Sequence, residues 1–192
     1  MREVRIDSEG TELVTVQEVK DWGKLKGSTE DQIIDQLIKS CRQLQEQWTG
    51  RSFIQKTLTV HWDQVFMAEI PLPFGPIRSI TSIKRVYEDG SLSDALVSGT
   101  DYYVSGMDFK VVNLYKRWQS AGQVVTGLRA TYVVGHDDGT SYVAIPWPLK
   151  ETVMRHVITD YLQRDDLEEA QPVLYDWVKE ALTPYRIDNL WL

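Results

Sequence analysis

The sequence contains a single cysteine, Cys41, and only three histidines among its 192 residues. One thiol cannot close an internal bridge, so a disulfide-framed domain is excluded. The same scarcity excludes a zinc site built from several thiolates. No apolar run approaches the roughly 20 residues needed to cross a bilayer. The opening Met1-Arg2-Glu3-Val4-Arg5-Ile6-Asp7 carries no signal-peptide core. The expectation is a soluble protein of the cell interior or of a particle, with no membrane partner. Positive charge is also short: 21 Lys and Arg face 28 Asp and Glu, a net charge of −7. Residues 1–96 hold 12 basic and 15 acidic side chains, and the remainder 9 and 13. Neither half carries the basic excess that gripping a phosphate backbone demands.

What is present is ordinary globular composition, 42% hydrophobic and 26% charged. Residues 1–14, polar and mixed in charge, read as a flexible arm. Thr15-Val16-Gln17-Glu18 has capping-box spacing and opens a short helix that Gly23 stops. Ser28-Thr29-Glu30-Asp31 begins a long helix whose apolar stripe is Ile33, Ile34, Leu37, Ile38, Cys41, Leu44 and Trp48, ended by Gly50. From Arg51 the texture turns to β-branched and aromatic residues. Strands are expected over Phe53–Asp63, Ala68–Leu72, Ile77–Tyr87, Tyr102–Val104, Phe109–Leu114 and around Leu128–Val134. The stretch Pro71-Leu72-Pro73-Phe74-Gly75-Pro76 reads as an edge or a crossover. In Ile77–Tyr87 the apolar residues recur every three, which calls for a bulge or for contacts on both faces. Helix returns at Pro146-Trp147-Pro148, with Leu149, Val153, Val157 or Ile158, and Tyr161 or Leu162 inward. The acidic stretch Asp165–Glu169 breaks it. Pro172 opens a last amphipathic segment with Val173, Leu174, Trp177, Val178, Ala181 and Leu182 on one side. The fold class is α+β: N-terminal helices, a mostly antiparallel β core, then C-terminal helices with an extended tail. The organisation reads as arm 1–14, core domain 15–170, and C-terminal helix with tail 171–192.

Catalytic signals are sparse. There is no phosphate loop, nucleophile elbow or His-Glu-x-x-His helix. His136, Asp137 and Asp138 put imidazole beside carboxylates, the raw material of a small metal-dependent hydrolase. The favoured reading is a solvated turn, with Asp and Gly chosen for their backbone angles. His156 and Asp160, four apart on a helix, read as an ordinary surface pair, and His61 as a half-exposed sheet residue. Cys41 lies in an apolar stripe and reads as an inert buried thiol. The acidic stretch Asp165–Glu169 lacks the glycine and spacing of a calcium loop. No catalytic residue, cofactor site or metal site is expected.

Aromatic richness is the unusual feature, with seven Trp and nine Tyr. Trp48 and Trp147 are assigned to the core. Trp and Tyr otherwise concentrate at protein–protein contacts. The terminal Ile187-x-x-Leu190-Trp191-Leu192 has no following chain to cover it, so docking on a neighbour is expected.

The order of four blocks resembles the head–tail connector, or head-completion adaptor, family of tailed bacteriophages and gene transfer agents. They are Gln47-Trp48-Thr49-Gly50-Arg51-Ser52-Phe53-Ile54-Gln55-Lys56-Thr57; Ile70-Pro71-Leu72-Pro73-Phe74-Gly75-Pro76-Ile77-Arg78-Ser79-Ile80-Thr81-Ser82-Ile83 with Asp89-Gly90; Thr131-Tyr132-Val133-Val134-Gly135 with Ile145-Pro146-Trp147-Pro148-Leu149-Lys150; and Leu182-Thr183-Pro184-Tyr185-Arg186. The resemblance implies a non-enzymatic virion protein of the head–tail interface, assembled in the host cytoplasm. It implies a homo-oligomeric ring, a dodecamer in the virion, that sits on the portal protein after DNA packaging. The ring would extend the DNA channel, passing DNA without sequence-specific binding, and offer a platform to a stopper or tail-completion protein. An acidic surface suits such a conduit. Portal docking is carried over to Trp177, Leu182, Tyr185, Arg186, Leu190 and Trp191. Lumen-facing residues are marked by no motif, and Ser105–Gln123 departs from the family pattern. The alternatives are another neck component, a stopper or tail-terminator, or the His136/Asp137/Asp138 hydrolase.

Overall fold

In a computed structural model, residues 2–63, 69–107, 109–115, 124–137, 143–163 and 174–187 are described. The chain divides into two compact units, each assembled from two separated stretches. These boundaries do not coincide with the divisions at 14/15 and 170/171 suggested by sequence.

The first unit joins Met1–Gly10 to Gln55–Gly135. Among the described residues its strands are β1 (Arg2–Glu9), β2 (Lys56–Asp63), β3 (Glu69–Pro71), β4 (Ile77–Tyr87), β5 (Tyr102–Ser105), β6 (Val111–Leu114) and β7 (Val125–Val134). All pairs are antiparallel, in a four-stranded sheet of order β1-β2-β7-β4 and a three-stranded sheet β3-β6-β5. Strict alternation on β7 sends Leu128, Ala130, Tyr132 and Val134 inward, as the sequence indicates. They share one core with Leu58 and Val60 of β2 and with Ile70, Val112 and Tyr102 of the smaller sheet.

The three-residue recurrence in β4 has a physical cause. Its pairing with β7 slips between Ile77 and Ser79, between Ile80 and Ser82, and between Val86 and Tyr87. The first two slips reset which residue faces inward, so Ile77 and Ile83 both enter the core. No slip separates Ile83 from Val86, which is buried outside that core and bridges to Leu92. The Pro-rich stretch is the crossover between sheets: Pro71 ends the edge strand β3, and Ile77 starts β4.

The flexible arm expected over residues 1–14 is corrected. Arg2–Glu9 is an edge strand paired with β2 from Arg2↔Trp62 to Glu9↔Lys56. A strand needs backbone partners rather than apolar side chains, and charged residues are what protect an open edge. Glu9 pairs with the buried Lys56 at 3.1 Å, and Asp7 accepts from the Thr59 hydroxyl at 2.5 Å.

The second unit joins Thr11–Ile54 to His136–Leu190. It holds α1 (Val16–Gly23), α2 (Asp31–Thr49), α3 (Trp147–Gln163), α4 (Asp176–Leu182) and a 3-10 turn at Thr183–Tyr185. The capping box is present in full: the Glu18 amide donates to Thr15 Oγ1 at 3.2 Å and the Thr15 amide to Glu18 Oε2 at 2.8 Å. Ile34, Ile38 and Cys41 of α2 pack with Leu149, Val153 and Val157 of α3 and Val178 and Leu182 of α4. Ile33, assigned to the α2 stripe, is 42% exposed, and Ala181 also faces outward. Phe53 lies before β2 rather than in it, with its ring in this helical core. Asp165–Glu169, Pro172 and Val173 lie outside the described residues.

Candidate functional site

Two sequence blocks more than a hundred residues apart meet in the helical unit. At the end of α2, the Thr49 hydroxyl donates to the Gln45 carbonyl at 2.7 Å. Gly50 follows with φ 69°, and its amide returns to the Glu46 carbonyl at 2.9 Å. This left-handed cap is the conformation that glycine adopts without steric cost. Beyond it, Arg51 Nε donates to the backbone carbonyl of Tyr185. The Ile187 amide donates to the Thr49 carbonyl at 2.9 Å. The Arg186 guanidinium lies over the Trp48 ring, 5.1 Å from its centroid. The Thr-Gly-Arg block is thus a clasp for the chain after α4.

The carried-over docking residues divide by position. Trp177 is half-buried, with Arg155 4.9 Å over its ring and Tyr175 stacked on it at 6.3 Å. Tyr185 is half-buried and Arg186 exposed. Leu182 is fully buried in its own unit's core, so here it anchors α4 instead of presenting a surface. Leu190 and Trp191 lie outside the described residues, as does Trp118.

Trp147, assigned to the core, is corrected: it is 56% exposed. It opens α3, where the first inward position is Leu149. Its ring meets Trp22, itself 46% exposed, edge-on at 6.5 Å. Beside this pair, Trp22, Gly23, Arg155, Ile158, Thr159 and Trp177 line a cleft of about 340 Å³. An aromatic cleft with one cation suits protein contact better than turnover.

The surface role for His156 is likewise corrected. His156 is fully buried, with Nδ1 3.2 Å from Gln45 Nε2 and Nε2 3.7 Å from Asp160 Oδ2. Tyr175 and Trp177 cover its ring edge-on at 5.4 and 6.4 Å. An i,i+4 spacing carries no information about which face neighbouring elements will cover. Cys41 Sγ lies 3.5 Å from Asp160 Oδ2, giving a Cys41–His156–Asp160 group whose ligand atoms fall within 4.8 Å of one another. Burial pushes the Cys41 thiol well up, and the Asp160 carboxylate adds to the shift. Both effects oppose the thiolate that a nucleophile or a metal ligand requires. Burial and Asp160 also raise the Tyr175 phenol to about 12.

His136 is 7% exposed, with Nδ1 3.3 Å from the Val143 carbonyl, and Asp137 bridges to Ala144. Asp138 lies outside the described residues. His61, on β2, is half-exposed with Nε2 2.7 Å from Asp63.

Sequence reasoning picked out the Thr-Gly-Arg block without seeing what it holds. It missed Arg42, which is fully buried between Glu12 at 2.8 Å and Glu46 at 2.7 Å. Glu46 also accepts from the Phe53 amide at 2.6 Å, tying α2 to the clasp's far side. The available signal was the Arg42-x-x-x-Glu46 spacing on α2, beside the apolar stripe.

The sequence model of the head completion protein family matches residues 12–172. Among solved structures, the chain is similar to a protein in the neck of an empty GTA particle with C6 symmetry, at 13% identity and TM-score 0.70. That match covers 96% of this chain and 95% of the other. It is also similar to a chain in the virion of a native gene transfer agent particle, at 14% identity and TM-score 0.71, over 95% and 94% of the two chains. A neck with C12 symmetry gives 14% identity and TM-score 0.61, with the same coverage. At these identities the structural likeness establishes the fold. No match was found among curated proteins.

Proposed function

This chain belongs to the head completion protein family, and from that premise we propose that it is a structural, non-enzymatic head–tail adaptor of a virion neck. Copies form a ring, of twelve in the virion, that extends the DNA channel beneath the portal and receives a stopper or tail-completion protein. The six- and twelve-fold necks that share its fold support the ring. One observation carries the docking assignment. The C-terminal chain is fastened at Thr183–Ile187 by Thr49 and Arg51, so whatever follows is delivered from a fixed point. Trp177, Tyr185, Arg186, Leu190 and Trp191 would meet the portal, with Leu182 holding α4 beneath them.

The test is to delete residues 188–192, which leaves the clasp whole, and separately 184–192, which removes part of it. Purified portal is then mixed with each protein and rings are scored by electron microscopy, with circular dichroism confirming the fold. Both deletions should abolish portal capture. Undiminished capture would overturn the docking role, and capture of a tail protein in place of portal would favour a stopper or tail-terminator.

A further inference from the structure

The outward face of the four-stranded sheet carries two polar rows set by strand register. Glu3, His61, Arg129 and Lys84 are successive partners across β1, β2, β7 and β4. Arg5, Thr59, Thr131 and Ser82 form the adjacent row. Together they line a groove of about 350 Å³. Two of its side chains have acidic partners beside them: Arg5 with Asp7 at 2.7 Å, and His61 with Asp63 at 2.7 Å. Thr59 and Thr131 share a hydrogen bond at 2.9 Å.

Lys84 and Arg129 differ. They stand directly opposite each other, half-buried, and their side chains make no hydrogen bond or ion pair with any described residue. Like charges in such positions destabilise a sheet. Glu3 is two strands from Arg129, roughly 10 Å at the usual strand spacing, too far to relieve them. A carboxylate entering the groove from outside would do so, accepting from the Arg129 fork and the Lys84 ammonium together.

We propose that this groove receives the acidic run Asp165-Asp166-Leu167-Glu168-Glu169 of a second copy of the chain. Two unmatched cations are too few to hold an extended phosphate backbone, whose affinity grows with the number of phosphates neutralised. The neighbouring Glu3, Asp7 and Asp63 would repel such a backbone while leaving room for one or two carboxylate side chains. The run supplies four carboxylates in five residues. A closed ring requires two different patches that meet head to tail, and the groove and the run are such a pair. The identity of the occupant rests on the ring reading above; the groove's preference for carboxylates does not.

The test uses the full chain carrying Asp165→Asn, Asp166→Asn, Glu168→Gln and Glu169→Gln, so that its own run does not compete. A fluorescent peptide of native sequence 162–172 is titrated against it and followed by anisotropy. Binding should weaken with salt, and by about tenfold or more on adding Lys84→Ala and Arg129→Ala, the loss expected for a charge-assisted hydrogen bond. Arg129→Gln alone, folded by circular dichroism, provides the same comparison should the double variant misfold. The inference is overturned by absent binding, by equal binding to the groove variants or of an Asn/Gln peptide, or by short duplex DNA displacing the peptide at equal concentration. Rings that form on portal while the peptide fails to bind would sink this inference and leave the adaptor reading standing; peptide binding without portal capture would do the opposite.

Discussion

Arg51 and Tyr185 are joined across 134 residues of sequence by one hydrogen bond, from the guanidinium Nε to a backbone carbonyl. That contact and the return bond from Ile187 to Thr49 make the Thr-Gly-Arg block and the Pro-Tyr-Arg block two halves of a single fastening.

Replacing Arg51 with Ala should therefore loosen the C-terminal segment more than the protein as a whole. The expected cost is about 1.5–3 kcal/mol, typical of a hydrogen bond made by a charged donor. Hydrogen exchange at the Ile187 amide is the discriminating measurement. It should accelerate strongly while amides in the middle of α2 change little.

The buried Arg42 leads to a sharper effect. Removing one partner of a buried ion pair strands the other, so Arg42→Ala should cost about 3–5 kcal/mol in denaturant unfolding. Lys39→Ala, which breaks the exposed pair with Asp35 at 2.6 Å, should leave the unfolding midpoint almost unchanged. Equal effects would contradict the burial of Arg42.

The capping box sets a pH dependence. Burial works to raise the Glu18 carboxyl, but hydrogen bonds from Lys150 and the Thr15 amide prevail and hold it below its usual 4.5. A lowered folded-state value means the stabilisation is complete above about 4.5 and is lost as pH falls through the lower, folded value. Glu18→Gln should flatten that part of the acid limb in thermal melts. Thr15→Ala should cost about 1 kcal/mol at neutral pH.

Gly127 on β7 tests the sheet. A Cβ there would sit 2.5 Å from the Trp62 carbonyl oxygen of β2. Gly127→Ala must push these strands apart and should lower the melting temperature by several degrees, roughly what 1–2 kcal/mol does in a chain of this size.

Elements whose inward face is decided by their own pattern were legible in the sequence. Thr15-x-x-Glu18, the α2 stripe apart from Ile33, and the Leu128–Val134 alternation are local codes, and the structure follows them. Arg2–Glu9 was not legible because its strand character comes from β2, far along the chain. His156, Trp147 and Ile33 failed for a related reason: their burial depends on which neighbouring element arrives to cover them. The clasp lay between these cases. Its residues stood out, but the bond from Arg51 to Tyr185 is a fact of tertiary geometry.

The strand-built unit is interrupted by the whole of residues 11–54, yet the two ends of that interruption abut. The Gly10 amide donates to the Gln55 carbonyl at 2.7 Å. Splicing Gly10 directly to Gln55 would turn a discontinuous sandwich into one uninterrupted polypeptide of 91 residues ending at Gly135. Residues 11–54 leave and rejoin the strand-built unit at one point, so a direct link in their place would keep the order of the described strands unchanged.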